Sequence, residues 1–240
     1  MTPRCETVGK AHILYDADVA GKATKDWFDP LYWPQQCALV GVGRGRGGTW
    51  FVSDNSRKLV LRHYRRGGLL ADLWGDRYPW LGLSRSRPWR EWHLLATLRG
   101  AELPVPEPVA ARVVREGAFY TADIITRRLN DTVSLADLLT QTRLDEPHWR
   151  AAGACIKRFH AIGVYHADLN AANILLGHDN RVYLIDFDRA RFRRLDGGWP
   201  QANLARLRRS LDKLAKTHSA FYFDDCDWKN LLAGYADVMS

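Results

Sequence analysis

Cysteine is sparse in this sequence and never clustered. The chain contains four, namely Cys5, Cys37, Cys155 and Cys226. Because no two of them form a C-x-x-C pair, we expect neither a structural zinc site nor a disulfide framework, and a reducing cytosol is the simplest compartment. No run of 18 apolar residues occurs and the first residues lack the apolar core of a secretory signal, so no transmembrane helix is expected. The hydrophobic share of 46% still suffices for one compact unit or two lobes sharing a cleft.

Lysine is scarce beside arginine, and the formal net charge is +8. A basic surface attracts nucleic acid, acidic lipid or phosphorylated substrates, and the arginine fork matches phosphate geometry. Arginine-rich codon usage without any binding role explains the composition equally well. Tryptophans beside arginines are typical of a membrane–water interface and also of ordinary half-buried packing, which we favour for each residue singly. They are Trp74, Trp80, Trp89 and Trp92, among Arg77, Arg85, Arg87 and Arg90.

Two short stretches carry the strongest functional signal. The first reads His166-Ala-Asp168-Leu-Asn170-Ala-Ala-Asn173, and the second is an apolar run that ends at Asp186. The pattern H-x-D-x-x-x-x-N, followed by an acid, is typical of protein-kinase-like phosphotransferases. In that chemistry Asp168 is the catalytic base that orients the attacking hydroxyl. Asn173 and Asp186 are then the metal ligands that hold Mg²⁺ against the phosphates of ATP.

The spacing between these groups predicts that they meet. Residues 174–176 and 181–185 are apolar enough for two strands, and the glycine and asparagine within residues 177–180 suit a hairpin turn. Because a hairpin brings its two ends together, Asn173 and Asp186 should lie at one site. The alternative is that these polar residues only cap a turn and end a strand, which requires their order and spacing to coincide by accident.

A glycine-rich loop lies well upstream of this motif, between predicted strands at residues 37–42 and 49–53. Glycines let the backbone approach a phosphate closely and present N–H groups to it. A loop of this kind is more often a flexible hairpin, but its position matches the loop that covers the nucleotide in kinases. The candidate residues are Gly43, Gly45, Gly47 and Gly48.

The next predicted strand, residues 58–64, carries Arg62 where a protein kinase has its phosphate-binding lysine. Arginine keeps the positive charge but is larger and planar, so the geometry must differ. A helix predicted over residues 88–98 buries an apolar face and presents Glu91, our candidate partner for Arg62. A surface arginine and a solvated glutamate are the alternative interpretation.

Two further strands are predicted at residues 110–114 and 119–125, with a hinge at residues 126–128. If the order of elements is that of a kinase, backbone groups of Ile125 and Arg127 bind the edge of the adenine base. Any sequence can supply backbone groups, so this assignment depends on element order alone.

Two helices frame the catalytic motif. The first is predicted over residues 147–162, with Gly163 as its stop and with His160 and His166 as packing and bracing residues. Its apolar face comprises Ala151, Cys155, Ile156, Phe159 and Ile162. The second carries leucines on one face, which we expect to pack in the core rather than lie on an anionic membrane. Its leucines are Leu204, Leu207, Leu211 and Leu214, opposite Arg206, Arg209, Lys213 and Lys216.

Too little chain follows Asp186 for the helical half-lobe of kinases that act on proteins, and no A-P-E motif occurs. Asp188 stands where those kinases have glycine, and a second metal or an arginine is its possible partner. Several further motifs are distinctive, namely Phe28-Asp-Pro-Leu-Tyr-Trp33, the glycine-rich loop, Val60-Leu-Arg-His-Tyr-Arg-Arg-Gly-Gly-Leu69, Arg87-Pro-Trp-Arg-Glu91, His166-Ala-Asp-Leu-Asn170 and Leu184-Ile-Asp-Phe-Asp188. In these motifs most of the chain resembles the bacterial 3-deoxy-D-manno-octulosonic acid (Kdo) kinases of lipopolysaccharide core synthesis, relatives of the lipopolysaccharide heptose kinases.

The resemblance implies an α+β, two-lobed, protein-kinase-like fold. Its small antiparallel β-rich N-lobe is expected at residues 1–125, and a reduced, mostly helical C-lobe at residues 126–240. It also implies ATP-dependent, Mg²⁺-dependent phosphorylation of the 4-hydroxyl of a Kdo residue on Kdo–lipid A. The expected place is the cytoplasmic face of the bacterial inner membrane, with peripheral contact to anionic lipid and neither nucleic acid nor an obligate protein partner.

Two kinds of alternative stay open. A heptose kinase or a small-molecule kinase of the aminoglycoside or choline class would use the same acid–amide–acid set. A basic membrane- or nucleic-acid-binding module would instead bind anions without ATP or magnesium.

Overall fold

The computed structural model describes residues 1–38, 48–54, 56–65, 75–178 and 180–237. The chain divides into two compact units that mix helices with antiparallel sheets. Unit 1 comprises Met1–Thr97 and Pro106–Arg128, and unit 2 comprises Leu98–Val105 and Leu129–Ser240. The segment Leu98–Val105 groups with unit 2 because distant residues bind its backbone. Leu184 N–H donates to the Pro104 carbonyl at 3.1 Å, and Arg158 donates to the Glu102 carbonyl at 2.7 Å.

Unit 1 is built on one antiparallel sheet of eight described strands, in the order β1-β2-β7-β8-β5-β4-β3, with β6 paired to β8. Its strands β2, β7 and β8 each carry a run of four consecutive buried residues, whereas β1 is mostly exposed. The strands are β1 (Pro3–Val8), β2 (Ala11–Asp16), β3 (Gln35–Ala38), β4 (Thr49–Ser53), β5 (Lys58–His63), β6 (Tyr78–Pro79), β7 (Pro108–Glu116) and β8 (Phe119–Arg127).

The core of unit 1 forms where two short 3-10 helices, Lys25–Phe28 and Pro30–Tyr32, fold against the sheet. Trp27, Phe28 and Trp33 are all buried there. Trp33 also donates its indole N–H to the Trp27 carbonyl at 2.9 Å, so the polar edge of this buried ring is satisfied. A short helix, α1 (Ala17–Ala20), links β2 to this segment.

Helix α2 (Arg87–Gly100) matches the helix expected at residues 88–98 and buries Trp92, Leu95 and Leu98. Trp89 is buried as well, so the packing interpretation of the tryptophans is confirmed for Trp89 and Trp92. Trp80 is half-buried and Trp74 lies outside the described residues. The three of these tryptophans that the structure describes therefore do not form an exposed tryptophan-rich surface.

Unit 2 is mostly helical. Its helices are α3 (Leu135–Gln141), α4 (Glu146–Ala161), α5 (Trp199–Thr217) and α6 (Asp225–Asp237). Helix α4 starts after the Asp145 cap and ends at Ala161. Gly163 follows two residues later, and its φ of +81° and close approach to the Arg193 carbonyl exclude a side chain. The prediction that Ile162 belongs to the apolar face of this helix is wrong, because Ile162 lies beyond the helix end and is exposed.

Two small sheets complete unit 2. The strands are β9 (Thr132–Ser134), β10 (Val164–Tyr165), β11 (Ile174–Gly177), β12 (Val182–Leu184) and β13 (Arg191–Phe192). β11 pairs with β12 and with β9, and β10 pairs with β13. The hairpin predicted after the catalytic motif is confirmed, since Ile174 pairs with Leu184 and Leu176 with Val182. At its turn Asn180 takes a left-handed φ of +59°, which asparagine tolerates.

Candidate active site

The segment between β10 and β11 is held by its own side chains. Asn170 caps the 3-10 turn Ala171–Asn173, and its side-chain oxygen accepts the N–H groups of Ala172 at 2.9 Å and Asn173 at 3.2 Å. The side-chain amides of Asn170 and Asn173 both donate to the Asp168 carbonyl, at 3.0 and 2.9 Å. Two amides thus fix the backbone of Asp168, while its carboxylate remains solvent-accessible.

The open end of the β11–β12 hairpin brings Asp186 to the same place. Ile185 N–H donates to the Asn173 carbonyl at 3.0 Å, and the Ile185 carbonyl accepts from His166 Nε2 at 2.9 Å. These hydrogen bonds, made by Asn173, His166 and Ile185, bring the backbones of Asp168, Asn173 and Asp186 close together. The predicted bracing role of His166 is confirmed by this bond.

Asp186 itself adopts a left-handed backbone conformation, with φ of +63°. A non-glycine residue in this region is strained and persists only where its surroundings hold it. Here the hydrogen bonds to Ile185 hold one side. Phe187, buried and stacked on Phe159 with ring centroids 5.7 Å apart, anchors the other.

A chain of buried hydrogen bonds supports the His166 backbone from behind. Asn203 Nδ2 donates to the His166 carbonyl at 2.7 Å, and Asn203 Oδ1 lies 3.0 Å from His160 Nε2. Because that oxygen accepts, His160 donates from Nε2, and Nδ1 accepts from the Tyr235 hydroxyl at 2.9 Å. Burial lowers the pKa of His160 to about 4, so the neutral form needed for this chain dominates at neutral pH.

Helix α5 presents one face to this loop. Asn203, Arg206 and Ser210 are spaced at i, i+3 and i+7, and each meets it. Ser210 accepts the Ala171 N–H at 3.4 Å, and Arg206 Nη1 lies 3.6 Å from Asp168 Oδ1. The leucine face is buried at Leu204, Leu207 and Leu211, as predicted. Arg206 is exposed to solvent, and its guanidinium also lies near the carboxylate of the proposed base.

In unit 1 the ion pair predicted from the sequence is present. Arg62 Nη2 lies 2.5 and 2.6 Å from the two oxygens of Glu91, whose side chain is only 3% exposed. Tyr64 donates its hydroxyl to the same carboxylate. Because the Glu91 carboxylate is buried, removing Arg62 would take away one of the groups that stabilise its charge and should lower stability. The pair fixes Arg62 on β5, whereas its contact with nucleotide stays a prediction.

The structure places Ile125 and Arg127 on a strand of the large sheet, and their part in binding adenine stays a prediction. Ile125 is fully buried in β8, which has β5 and β7 as neighbours on its two sides. The Arg127 N–H donates to the Glu107 carbonyl at 2.8 Å, so this backbone donor is already paired. β8 runs through Arg127 and unit 2 begins at Leu129, so the hinge predicted at residues 126–128 overlaps the end of this strand. Element order could not reveal how far the strand continues.

Most of the predicted glycine loop lies outside the described residues. Gly43, Gly45 and Gly47 fall in that part of the chain, whereas Gly48 is described and precedes β4. The Gly48 carbonyl accepts the His63 N–H at 3.0 Å, and a Cβ at this position would lie 3.2 Å from the Trp50 indole nitrogen. This contact leaves little room for a side chain at Gly48.

The proposed metal ligands suit a hard cation. Mg²⁺ prefers oxygen donors and keeps only one or two protein ligands when substrate phosphates supply others. The Asn173 amide nitrogen is engaged with the Asp168 carbonyl, so its oxygen, the atom that would ligate, is directed elsewhere. Among the described residues no cluster of three or more His, Cys, Asp and Glu side chains has the arrangement of an all-protein metal site. One carboxylate and one amide fit the mode in which phosphates complete the coordination.

Several supporting residues were not found from the sequence. Asn203, Tyr235 and Arg206 lie on helices after the motif, where no short pattern marks them. The i, i+3, i+7 spacing of polar residues along α5 was the one available signal. Its meaning depends on the loop that packs against it.

A fixed base with an amide and a second acid at the end of a hairpin is the set of groups that phosphotransferases of the kinase class use. Residues 31–235 match the model of the lipopolysaccharide kinase (Kdo/WaaP) family. The chain belongs to this family.

Curated relatives cover nearly the same length. A protein of Vibrio vulnificus (strain YJ016) is 38% identical over 227 residues, which span 95% of each chain. One of Stenotrophomonas maltophilia (strain R551-3) is 43% identical over 89% of this chain and 85% of the relative, and one of Xylella fastidiosa (strain M23) is 42% identical over the same shares. Each of the three is named 3-deoxy-D-manno-octulosonic acid kinase. No described helix has both the length and the apolar character to cross a bilayer.

Proposed function

We propose that this protein transfers the terminal phosphoryl group of ATP to the 4-hydroxyl of a Kdo residue on Kdo–lipid A. The proposal is supported by hydrogen bonds that link Asp168, Asn173 and the residue before Asp186, in a chain of the lipopolysaccharide kinase family. The names of the relatives supply the acceptor. The fold proposed with it is the two-lobed protein-kinase-like fold, in which unit 1 is the β-rich lobe and unit 2 the reduced helical lobe.

Asp168 acts as the base in this mechanism. Its backbone is fixed by the amides of Asn170 and Asn173, and its carboxylate accepts the proton of the sugar hydroxyl as the new P–O bond forms. Phosphoryl transfer demands little covalent chemistry from a protein, so positioning provides most of the rate gain.

Asn173 and Asp186 would hold Mg²⁺, which supplies charge neutralisation at the phosphate oxygens when bound. On unit 1, Arg62 is the proposed phosphate-binding cation, held by Glu91 and Tyr64. Gly43, Gly45, Gly47 and Gly48 are the proposed nucleotide-covering residues.

The proposed location is the cytoplasmic face of the bacterial inner membrane, as a peripheral protein. The support is a short exposed segment that follows Asp186, where Phe192 and Leu195 are both exposed. Four arginines lie beside them in the sequence, and their positive charge suits contact with an anionic surface. They are Arg189, Arg191, Arg193 and Arg194.

A transfer assay with radiolabelled ATP tests the proposal. We expect Mg²⁺-dependent labelling of Kdo–lipid A, and Asp168→Asn should abolish transfer while preserving the fold and nucleotide binding, since the change removes only the proton acceptor. Asp26→Asn, an exposed carboxylate of unit 1, is the matched control. Label on a heptosylated lipid or an aminoglycoside but not on Kdo–lipid A would assign another acceptor. Near-full turnover by Asp168→Asn would remove its role as base.

A further inference from the structure

Arg206 is the one cation whose contact with the proposed base is seen in the described part of the chain. Its Nη1 lies 3.6 Å from Asp168 Oδ1, and the two side chains are 46% and 60% exposed. An exposed ion pair of this kind contributes at most about 1 kcal/mol to stability. Stability therefore gives a weak reason for an arginine at this position, and a role at the acceptor side of Asp168 is the stronger explanation.

The position of Arg206 is fixed by its helix. Asn203, three residues before it, donates to the His166 carbonyl, and Ser210, four residues after it, accepts the Ala171 N–H. These two contacts attach α5 to the catalytic loop on both sides of Arg206. The guanidinium is thus presented beside Asp168 by a rigid element rather than by a loop.

Arg206 and Asp168 are too far apart for the guanidinium N–H groups to donate hydrogen bonds to the carboxylate. At 3.6 Å the contact is longer than a hydrogen bond, so it is electrostatic only. A guanidinium carries five N–H donors arranged to match a carboxylate in a two-pronged contact. A carboxylate brought close to Asp168 by a bound molecule would find this fork in reach.

We propose that Arg206 is a specificity-determining residue that binds the carboxylate of the sugar-acid acceptor while Asp168 takes its hydroxyl. This inference rests on the proposed function, whose acceptor is an octulosonic acid and so bears a carboxylate on the sugar that carries the hydroxyl. Pairing of Arg206 with the acceptor replaces its weak contact with Asp168. A neutral sugar has no carboxylate to pair with Arg206, so the site favours acidic sugars.

The test compares Kdo–lipid A with the same acceptor carrying its Kdo carboxyl as a methyl ester. Arg206→Ala should raise the acceptor KM for the acid about tenfold or more, the usual scale for a lost charge-assisted contact. The acceptor KM for the ester and the KM for ATP should change little. Arg206→Lys should recover part of the loss, because it keeps the charge without the fork. Arg209→Ala, an exposed arginine on the same helix, should behave as wild type.

The outcomes separate the inference from its premise. If Arg206→Ala weakens transfer to the acid and the ester equally, the residue acts only through Asp168 and the proposal is overturned. An unchanged KM for the acid also overturns it. If the wild-type protein labels neither acceptor but labels another lipid, the proposed function fails first, and Arg206 loses this assignment with it.

Discussion

At the scale of single residues, Asp186 combines an unusual backbone conformation with a proposed role as a metal ligand. Its φ of +63° is unfavourable for most side chains, but asparagine tolerates this region nearly as well as aspartate does. Asp186→Asn should therefore keep the fold while weakening binding of Mg²⁺·nucleotide about tenfold or more, because a charged metal ligand becomes neutral. Calorimetric titration of nucleotide with and without Mg²⁺ measures this difference.

Two comparisons make the Asp186 result interpretable. Asp188→Asn tests the second acid of Asp-Phe-Asp, and a comparable loss there would indicate that both carboxylates serve the metal. Unchanged Mg²⁺-dependent affinity in Asp186→Asn, together with a normal unfolding midpoint, would show that this carboxylate is not a ligand.

His160 makes stability dependent on pH. Its pKa is lowered by burial to about 4 from an ordinary 6.5, so only the unfolded chain takes up a proton between these values. Unfolding is thereby favoured as the pH falls from 6.5 to 4, by up to about 3 kcal/mol. In urea titrations across this range, His160→Gln should be less stable at neutral pH but should lose stability less steeply than wild type.

One other histidine provides a comparison for that experiment. His63 has the opposite sign, since its hydrogen bond to Asp123 raises its pKa although burial opposes this. Its contribution is fully present below the unfolded pKa and is lost as the pH rises through the folded pKa, outside the acidic window. Parallel slopes for wild type and His160→Gln would refute the assignment.

At the scale of elements, the helix pair α4–α6 depends on two glycines. A Cβ on Gly153 would lie 1.9 Å from the Leu231 carbonyl, and one on Gly234 would lie 2.1 Å from the Arg150 carbonyl. Gly153→Ala must therefore push the helices apart, which should cost about 3 kcal/mol or more. The urea midpoint should fall accordingly, and the bond between His160 on α4 and Tyr235 on α6 should weaken with it.

Gly100→Ala is the matched control for this helix pair. Gly100 ends α2, and a Cβ there meets nothing within 4 Å. Alanine should leave stability unchanged or raise it by up to about 1 kcal/mol, because it restricts the unfolded chain. Equal effects of the two substitutions would mean that close approach of α4 and α6 does not limit stability.

The same elements explain what the sequence could predict. The β11–β12 hairpin and helix α4 follow from local signals, namely apolar runs, a turn with Asn180, and a glycine stop at Gly163. The length of β8 and the position of Arg206 beside Asp168 depend on contacts between distant segments. β8 extends through Arg127 because β5 lies beside it, and α5 reaches Asp168 because Asn203 holds it there. Such tertiary constraints leave no mark within a short window of sequence.

At the scale of the whole molecule, part of the arginine excess behind the net charge of +8 lies in one short segment. The segment from Arg189 to Leu195 joins four arginines to two exposed apolar side chains, and it follows the proposed metal ligand Asp186 closely in the chain. Arg193 lies 3.9 Å from the centre of the Tyr165 ring, just before the catalytic loop. The buried tryptophans cannot serve a membrane, so this segment is the better candidate for contact with an anionic glycolipid surface.

Vesicle binding tests that contact independently of catalysis. The Phe192→Ser/Leu195→Ser double variant should lose about tenfold in partitioning onto vesicles with anionic lipid, because it removes the apolar groups that enter the interface. Phe192 and Leu195 are 51% and 62% exposed, so neither change disturbs a core. Leu81→Ser, at 69% exposure on unit 1, is the matched control and should bind as wild type. Binding should weaken as salt rises, since screening reduces the arginine contribution. Equal loss in both variants, or equal binding to zwitterionic vesicles, would show that the charged segment does not direct the protein to anionic lipid.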